Sequence, residues 1–499
     1  MSRRYRARTT AVARGTAALF AGLVLLGGVA VPADAAADDA GERARQSLAD
    51  QMDAAGVPGA AVVVVDVDGA TAAHGLGSTG DGRQVTAQTP FVIGSTSKSF
   101  TALAVMQLVD AGLVDLDAPV RRYVPELRLA EQAAADGVTV RHVLQQTSGL
   151  PGTAGGRVLK AARDGSALDA IAELRDTGLV SRPGQVWHYS NANYVLAGLV
   201  VERTSSMSYA DYVERRIFAP LGMTSSSTDI RDARSDGVTP GHRLWFGAAV
   251  SSGPALRPGL VAAGFLVSTA QDMGHYLRMY LRDGLADDGT RVVSAVGLRA
   301  MTSPGPPAKF GVWADGASTR YAMGWFTGGP WQEPALLHPG NTPDSSAMIT
   351  LLPGRGMAVA TLVNLSHELP VPGNPAAPDR LTRNVIDAVL GDSAGNPAST
   401  RGFYLCFDLA CLLLLSAAGW GLARAISALR TGSTPRHRLA AASGVTVRLA
   451  AVALLSAIPQ AAGYGWAGAW VWAPDLTLVL GVLVALLLLT MVLRLAILL

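Results

Sequence analysis

The stretch FVIGSTSKSF, residues 91–100, contains one of only three lysines among the 41 lysine and arginine residues of the chain. Lys98 stands three residues after Ser95, and apolar residues at helical spacing follow as far as Gly112. Residues three apart share one face of a helix, so Ser95 and Lys98 are predicted to lie side by side where a helix begins.

A serine and a lysine at the start of a helix can act together as a nucleophile and its base. The first turn of a helix offers free backbone N–H groups and the positive end of the helix dipole. A serine there can attack a carbonyl group while its own N–H helps to hold the oxyanion. A buried lysine can lose its proton and act as a base, which arginine cannot do. A serine-capped helix with a surface lysine has the same pattern, so S-x-x-K alone leaves both interpretations open.

A second motif, YSN at residues 189–191, lies between a Pro-Gly turn and an apolar helical segment. The phenol of Tyr189 can share a proton with Lys98, and the amide of Asn191 can donate to a substrate carbonyl. A third motif, HPG at residues 338–340, comes just before a predicted strand pair. A strand beside the nucleophile can supply a second N–H to the oxyanion, and its glycine would let a substrate approach closely.

The body of the chain, residues 38–390, mixes helices and strands. GAAVVVVDVDG (59–69) reads as a buried strand with ATAAHGLGS as its hairpin partner, and SSAMITLLP and GMAVATLVN form a second strand pair. Helical patterns flank these pairs, and the middle of the chain, from about residue 110 to 183, is rich in helix and loop. The sequence therefore predicts an α+β fold.

With these motifs in this order, the chain resembles the serine β-lactamase and penicillin-binding-protein family, in the branch of class C β-lactamases, D-amino-acid peptidases and related esterases. The resemblance covers about residues 45–390 and includes GLVDLDAPVRRYVPEL, VTVRHVLQQTSGLPG, FAPLGMTSSS, AAGFLVSTAQDMGHYLRMYL and YAMGWF. It implies a β-lactamase-like (DD-peptidase) fold. In this fold a five-stranded antiparallel sheet with helices on both faces lies beside a mostly helical subdomain, and the site lies between them.

The resemblance also implies roles for individual residues. It makes Ser95 the acylating nucleophile, Lys98 the group that takes its proton, and Tyr189 the general base shared with Lys98. It implies substrate-binding roles for Asn191, His338, Gly340 and Asn341, the last through a backbone N–H that pairs with that of Ser95 as the oxyanion hole. Catalysis of this kind is covalent and needs neither a metal nor a cofactor.

The third motif departs from the family pattern. Many members have Lys-Thr-Gly there, whose lysine and threonine help to bind a carboxylate, whereas this chain has His-Pro-Gly. Histidine is a weaker cation at neutral pH, and proline has no hydroxyl group. An esterase, amidase or D-aminopeptidase therefore fits the motifs at least as well as a β-lactamase or D-alanyl carboxypeptidase.

Residues 1–37 have the features of a signal peptide. Five arginines precede residue 15, residues 16–31 are apolar, and the small-residue stretch ADAAA (33–37) follows as a cleavage site. An uncleaved anchor helix is the alternative.

The last hundred residues are predicted to form a membrane anchor. After a linker at residues 391–402, three apolar segments (403–422, 449–472 and 476–493) approach the roughly 20 residues that cross a bilayer. The loop between the first two contains arginines and no acidic residue, which places it in the cytoplasm and residues 38–390 outside it. The sequence thus predicts a multi-pass protein of the cell membrane with an extracytoplasmic catalytic domain.

The predicted partners are a small-molecule or peptide substrate and the lipid bilayer. The formal net charge is only +3, and no basic patch is interleaved with aromatic residues, so nucleic acid is not an expected partner. The main functional hypothesis is a serine hydrolase that works through a Ser95 acyl-enzyme. The alternatives are a penicillin-binding-like sensor that is acylated without efficient turnover and a transporter with an exported accessory domain.

Overall fold

The computed structural model describes residues 33–161, 165–229, 237–252, 258–308, 319–329, 331, 334–366, 377–392, 395, 400–431, 435–461 and 465–498. The first 32 residues of the predicted signal peptide lie outside these ranges, and residues 33–37 begin the first helix.

The central element is an eight-stranded sheet with the order β2-β1-β12-β11-β10-β9-β8-β7, and all of its pairs are antiparallel. Five long strands, β2 to β10 in this order, correspond to the predicted sheet, and three short strands extend it beyond the third motif. The strands are β1 (Gly59–Asp66), β2 (Thr71–Gly77), β3 (Phe91–Val92), β4 (Gly241–Trp245), β5 (Ala248–Ser252), β6 (Val267–Ser268), β7 (Pro307–Ala308), β8 (Thr319–Tyr321), β9 (Phe326–Gly328), β10 (Leu336–Asn341), β11 (Ser346–Leu352), β12 (Met357–Val363) and β13 (Leu365–Ser366).

Helices cover both faces of this sheet, as predicted. Up to residue 390 they are α1 (Ala33–Ala55), α2 (Ser97–Asp110), α3 (Gln132–Asp136), α4 (Val140–Leu144), α5 (Gly152–Ala161), α6 (Ala167–Ala172), α7 (Asn191–Ser205), α8 (Tyr209–Val213), α9 (Ala219–Leu221), α10 (Val261–Gly264), α11 (Ala270–Leu281), α12 (Ala295–Thr302) and α13 (Ala377–Leu390). The helices α1 and α13 pack together on one face, and α11 packs on the other.

The burial of strand β1 on both faces of the sheet explains why its sequence is a continuous apolar run. Every residue of β1 is buried, but successive side chains point to opposite faces: Val62 and Val64 join the core under α1, whereas Val63 and Val65 join the core under α11. A strand that is covered on both sides has no polar face, so its sequence loses the usual alternation.

The predicted helical subdomain is formed by α3 to α9. Its central helix is α7, most of which is buried and which packs against α2, α4, α5 and α6. Because α2 begins at the nucleophile motif and α7 begins at the second motif, this packing brings the two motifs together.

The C-terminal region forms α14 (Arg401–Thr431), α15 (Pro435–Ala461), α16 (Gly465–Trp472) and α17 (Pro474–Leu498). Three helical segments, 401–431, 442–461 and 474–498, are long and apolar enough to cross a membrane. The second differs from the predicted span at 449–472, because one helix ends at Ala461 and a separate short helix begins at Gly465. Pro459 removes a backbone hydrogen-bond donor near the end of α15, and Gly465 has a φ of +63°.

The C-terminal helices pack on the preceding α+β body of the chain at the hairpin β4–β5 and at the end of α1, where Thr400 donates to the carbonyl of Ala55 at 3.4 Å. The ring of Trp245 makes an edge-to-face contact with that of Trp470, with centroids 5.8 Å apart. The backbone N–H of Phe246 donates to Oδ2 of Asp475 at 3.2 Å. The buried ring of Tyr404 lies against the turn at Gly247.

Candidate active site

Ser95 lies in a short 3₁₀ turn, Gly94–Thr96, between β3 and the first residue of α2. Gly94 has a φ of +54°, and hydroxyl groups brace the turn: Thr96 donates to the carbonyl of Ile93 and Ser97 to that of Gly94, each at 2.7 Å. The prediction that the serine stands where a helix begins is therefore correct. The turn leaves Ser95 half-buried and its side chain beside Lys98.

The Lys98 side chain is fully buried at the centre of the site. Its Nζ donates to Oγ of Ser95 at 2.8 Å, to Oδ1 of Asn191 at 2.8 Å and to the backbone carbonyl of Ala263 at 2.6 Å. None of these three partners is a carboxylate. Burial lowers the pKa of Lys98 well below its usual value of 10.5.

The identity of the three partners determines what a neutral Lys98 can do. An uncharged amine has two N–H groups and one lone pair. The amide oxygen of Asn191 and the carbonyl of Ala263 can only accept hydrogen bonds, so they take the two N–H groups. The lone pair is then left for the hydroxyl proton of Ser95. This arrangement fits a lysine that acts as a base toward that serine.

The second motif contacts Lys98 from the other side. The ring centroid of Tyr189 lies 4.9 Å from Nζ, and α7 starts at Asn191. Because Oδ1 of Asn191 accepts from Lys98, its amide nitrogen is left without a protein acceptor among the described residues. That nitrogen fits the predicted role of a donor to the substrate carbonyl.

Gln146 was not predicted as a site residue, although QQTSGLP was part of the resemblance. It is fully buried with a φ of +59°, which is unusual for a residue other than glycine. Its backbone carbonyl accepts from the N–H of His188 at 2.8 Å, and its Oε1 accepts from the N–H of Ser190 at 3.0 Å. Gln146 thus holds the backbone on both sides of Tyr189. No sequence periodicity marks such a residue.

The third motif lies on β10, directly against the nucleophile turn. A Cβ atom on Gly94 would stand 2.6 Å from the backbone nitrogen of Asn341, and one on Gly340 would collide with the carbonyl of Ile93. On one edge, β10 pairs with β9 only at Leu336 and Leu337. Beyond Leu337, no described strand pairs with that edge, whereas β11 continues to pair along the other edge as far as Asn341. The edge of β10 that carries the third motif is therefore left open beside Ser95.

His338 has a different environment from the other predicted site residues. It is 1% exposed, its Nε2 lies 3.2 Å from the hydroxyl of Tyr321, and its ring packs against Phe326. Burial is the main cause that lowers the pKa of His338 to about 3. The imidazole is therefore neutral near pH 7, and the third motif brings no positive charge to the site.

No group of three or more His, Cys, Asp or Glu side chains comes together as a metal site within the described ranges.

An antiparallel sheet beside a Ser-x-x-Lys pair at a helix start defines the serine hydrolases of the β-lactamase and penicillin-binding type. The family model described as Beta-lactamase matches residues 44–383, more than half of the chain. The chain belongs to this family.

Two curated relatives support the same assignment. Penicillin-binding protein 4 of Amycolatopsis lactamdurans is 33% identical over 313 residues, which cover 62% of this chain and 81% of that protein. Protein flp of Staphylococcus aureus (strain COL) is 25% identical over 314 residues, which cover 62% of this chain but only 60% of that protein.

Solved structures share the fold. The octameric penicillin-binding protein homologue from Pyrococcus abyssi is 28% identical with a TM-score of 0.61, covering 72% of this chain and 79% of that one. The D-amino acid amidase of Ochrobactrum anthropi SV3, complexed with L-phenylalanine amide, is 25% identical with a TM-score of 0.60, covering 71% and 98%. The D-stereospecific amidohydrolase from Streptomyces sp., 23% identical with a TM-score of 0.53 and covering 70% and 97%, shows the fold alone.

The first prediction concerns the nucleophile and its base. Ser95→Ala is expected to abolish covalent labelling by a fluorescent fluorophosphonate while the circular dichroism spectrum stays unchanged. Lys98→Arg is expected to lower the labelling rate at least about a hundredfold, because the charge stays but the base is lost. Labelling of Ser95→Ala at the wild-type rate would show that another residue is the nucleophile.

The second prediction uses pH. Asn191→Asp places a carboxylate where Oδ1 now lies 2.8 Å from Nζ of Lys98, which favours the ammonium form and raises the pKa of Lys98. Labelling that needs neutral Lys98 rises with pH through that pKa. Its midpoint should therefore move to higher pH in the variant, by about one pH unit or more. The exposed Gln84→Glu adds the same charge at the surface and should leave the midpoint in place. An unchanged midpoint in Asn191→Asp would contradict the role of Lys98 as base.

The third prediction tests Gln146. Gln146→Met keeps the length of the side chain but removes the acceptor for the N–H of Ser190 and for Nδ2 of Asn193. We expect a loss of about 1–3 kcal/mol in the free energy of unfolding, measured with denaturant, and slower labelling of Ser95. Gln145→Met is the matched control. Equal effects of the two substitutions would show that Gln146 has no special positioning role.

Proposed function

We propose that the chain is a membrane-anchored serine hydrolase that acts outside the cytoplasmic membrane on amide or ester substrates through an acyl-enzyme at Ser95. The observation that carries this proposal is the contact between Oγ of Ser95 and a fully buried Lys98 that has no carboxylate among its three hydrogen-bond partners. A lysine in such surroundings favours its neutral form, which is the form that can take a proton from serine.

In the proposed reaction, Oγ of Ser95 attacks the substrate carbonyl and its proton passes to Nζ of Lys98. The N–H groups of Ser95 and Asn341 stabilise the oxyanion, and Nδ2 of Asn191 holds the substrate. Breakdown of the tetrahedral species releases an amine or alcohol, which takes a proton from the Lys98–Tyr189 pair. A water molecule then gives a proton to this pair and attacks the ester carbonyl. Cleavage of the bond to Oγ frees the acid, and the pair returns the proton to Oγ of Ser95.

The environment of His338 bears on the substrate class. Substrates such as a β-lactam or a peptide ending in D-alanine present a carboxylate close to the reacting carbonyl. A neutral, buried imidazole gives such a carboxylate no charge partner. The site therefore favours amides and esters without a neighbouring carboxylate. The similarity to an enzyme described as a D-amino acid amidase supports the same choice.

The proposed location follows from the helices. The hairpin β4–β5 contacts the end of the membrane region that contains Tyr404 and Asp475, whereas Arg430 in the last turn of α14 lies at the opposite end. The first residues of α15 add Arg436 and Arg438 to the same stretch of sequence. With those arginines in the cytoplasm, the catalytic domain is outside.

The second candidate function is a sensor that is acylated without efficient turnover. The packing of Trp245 on Trp470 and the hydrogen bond from the backbone N–H of Phe246 to Asp475 favour it, since contacts of this kind can pass a change in the catalytic domain to the membrane helices. The name of the relative penicillin-binding protein 4 is consistent with acylation by a penicillin.

A substrate panel on the purified full-length chain tests both candidates. It contains a nitrophenyl ester, a D-amino-acid amide, a D-Ala-D-Ala peptide and a chromogenic cephalosporin, with Ser95→Ala as the control. We expect the ester and the amide to be turned over at least about tenfold faster in kcat/KM than the two carboxylate substrates, which corresponds to one missing charge-assisted contact. Faster turnover of the cephalosporin would contradict the proposed substrate class. A stable adduct without product would support the sensor and exclude the hydrolase.

A further inference from the structure

Three arginines from three different helices come together at one end of the membrane region. They are Arg424 on α14, Arg448 on α15 and Arg494 on α17, and α17 packs against both other helices. Arg494 lies within electrostatic reach of both Arg448 and Arg424. From residue 401 onward the sequence contains only two acidic residues, Asp408 and Asp475.

The depth of these arginines in the bilayer can be measured from Tyr404 and Asp475, which contact the catalytic domain at the other end of the helices. Arg424 follows Tyr404 by 20 residues, and Arg494 follows Asp475 by 19 residues. At 1.5 Å per helical residue, both intervals are about 30 Å, which is the thickness of the hydrocarbon core of a bilayer. The arginines are therefore at the level of the phospholipid headgroups of the opposite leaflet.

Two glycines make room for the guanidinium groups between the helices. A Cβ atom on Gly444 would collide with the guanidinium of Arg494 and would stand 3.1 Å from Nη1 of Arg448. A Cβ atom on Gly421 would stand 2.9 Å from Nη2 of Arg448. The guanidinium of Arg448 thus lies between α14 and α15, and that of Arg494 reaches the same point.

The hydrogen bonding of Arg448 is incomplete. Its Nη1 donates to the carbonyl of Gly444 at 3.1 Å, whereas its buried Nε has no hydrogen-bond partner among the described residues. Positive charges held this close together repel one another unless an anion lies between them. Asp408 and Asp475 belong to the outer end of the helices, so they cannot serve as that anion.

We propose that Arg424, Arg448 and Arg494 form a binding site for the phosphate of an anionic phospholipid in the leaflet opposite the catalytic domain. A phosphate has oxygen acceptors that match several guanidinium donors at once. A lipid is the occupant because the site is at headgroup depth and opens between apolar helices that acyl chains can cover. This site depends on the proposed membrane embedding but not on the hydrolase activity.

The test measures lipid binding by the delipidated full-length chain in detergent, using native mass spectrometry and thermal unfolding. The probes are phosphatidylglycerol and phosphatidylcholine with identical acyl chains, and inorganic phosphate. We expect phosphatidylglycerol to bind at least about tenfold more tightly than phosphatidylcholine and to raise the unfolding temperature. Arg448→Gln/Arg494→Gln should weaken phosphatidylglycerol binding by roughly fivefold for each arginine removed.

Two further variants separate binding at this site from a general effect of surface charge. Arg430→Gln removes an exposed charge in the last turn of α14 and should leave binding within about twofold of the wild type, since it is not part of the site. Gly444→Leu keeps every charge but fills the space between the guanidinium groups, so it should weaken phosphatidylglycerol binding even if the double variant fails to fold.

The outcomes that would overturn the proposal are distinct. Equal binding of the two lipids would mean that no anionic headgroup is recognised. An equal loss in Arg430→Gln and in the double variant would indicate general surface charge. Stabilisation by inorganic phosphate alone to the same extent as by phosphatidylglycerol would indicate a site for a free anion.

Discussion

The structure of the site depends on the burial of one amino group without a carboxylate partner. Nζ of Lys98 joins three elements: the nucleophile turn through Ser95, the helical subdomain through Asn191, and α10 through the carbonyl of Ala263. Burying a charged ammonium group is costly, and burying a neutral amine costs much less. The fold therefore favours the neutral form of Lys98, which is the form that the proposed chemistry needs. The same bonds fix the position of the subdomain against the sheet.

The electrostatics of the third motif follow from this arrangement. A second cation beside Lys98 would lower the pKa of that lysine further, and it would also attract substrate carboxylates. His338 does neither, because it is buried against Tyr321 and Phe326 and stays neutral. The difference between His-Pro-Gly and Lys-Thr-Gly is thus a difference in the charge available to the substrate, whereas the backbone of β10 still lies against the turn that contains Ser95.

Sequence patterns predict the parts of this protein that depend on neighbours along the chain. The side-by-side placement of Ser95 and Lys98 follows from helical spacing, and the strand at residues 59–66 follows from its apolar run. The role of Gln146 could not be predicted, because a positive φ and two contacts with a segment more than forty residues away leave no periodic signal. The burial of His338 depends on packing against β8 and β9, which no local pattern encodes. The end of α15 comes soon after Pro459, a residue that disfavours a continuous helix and that the predicted span at 449–472 includes.

In the proposed membrane-anchored hydrolase, the contacts between the hairpin β4–β5 and the C-terminal helices also determine how the enzyme would search for its substrates. A catalytic domain on a long flexible tether explores a hemisphere of solution, whereas one held by the packing of Trp245 on Trp470 and by the bond from Phe246 to Asp475 has almost no freedom to rotate or to leave the surface. In the proposed orientation its site stays within one domain diameter of the bilayer. Molecules attached to the membrane, or confined in the layer next to it, then reach Ser95 at a far higher effective concentration than freely diffusing ones.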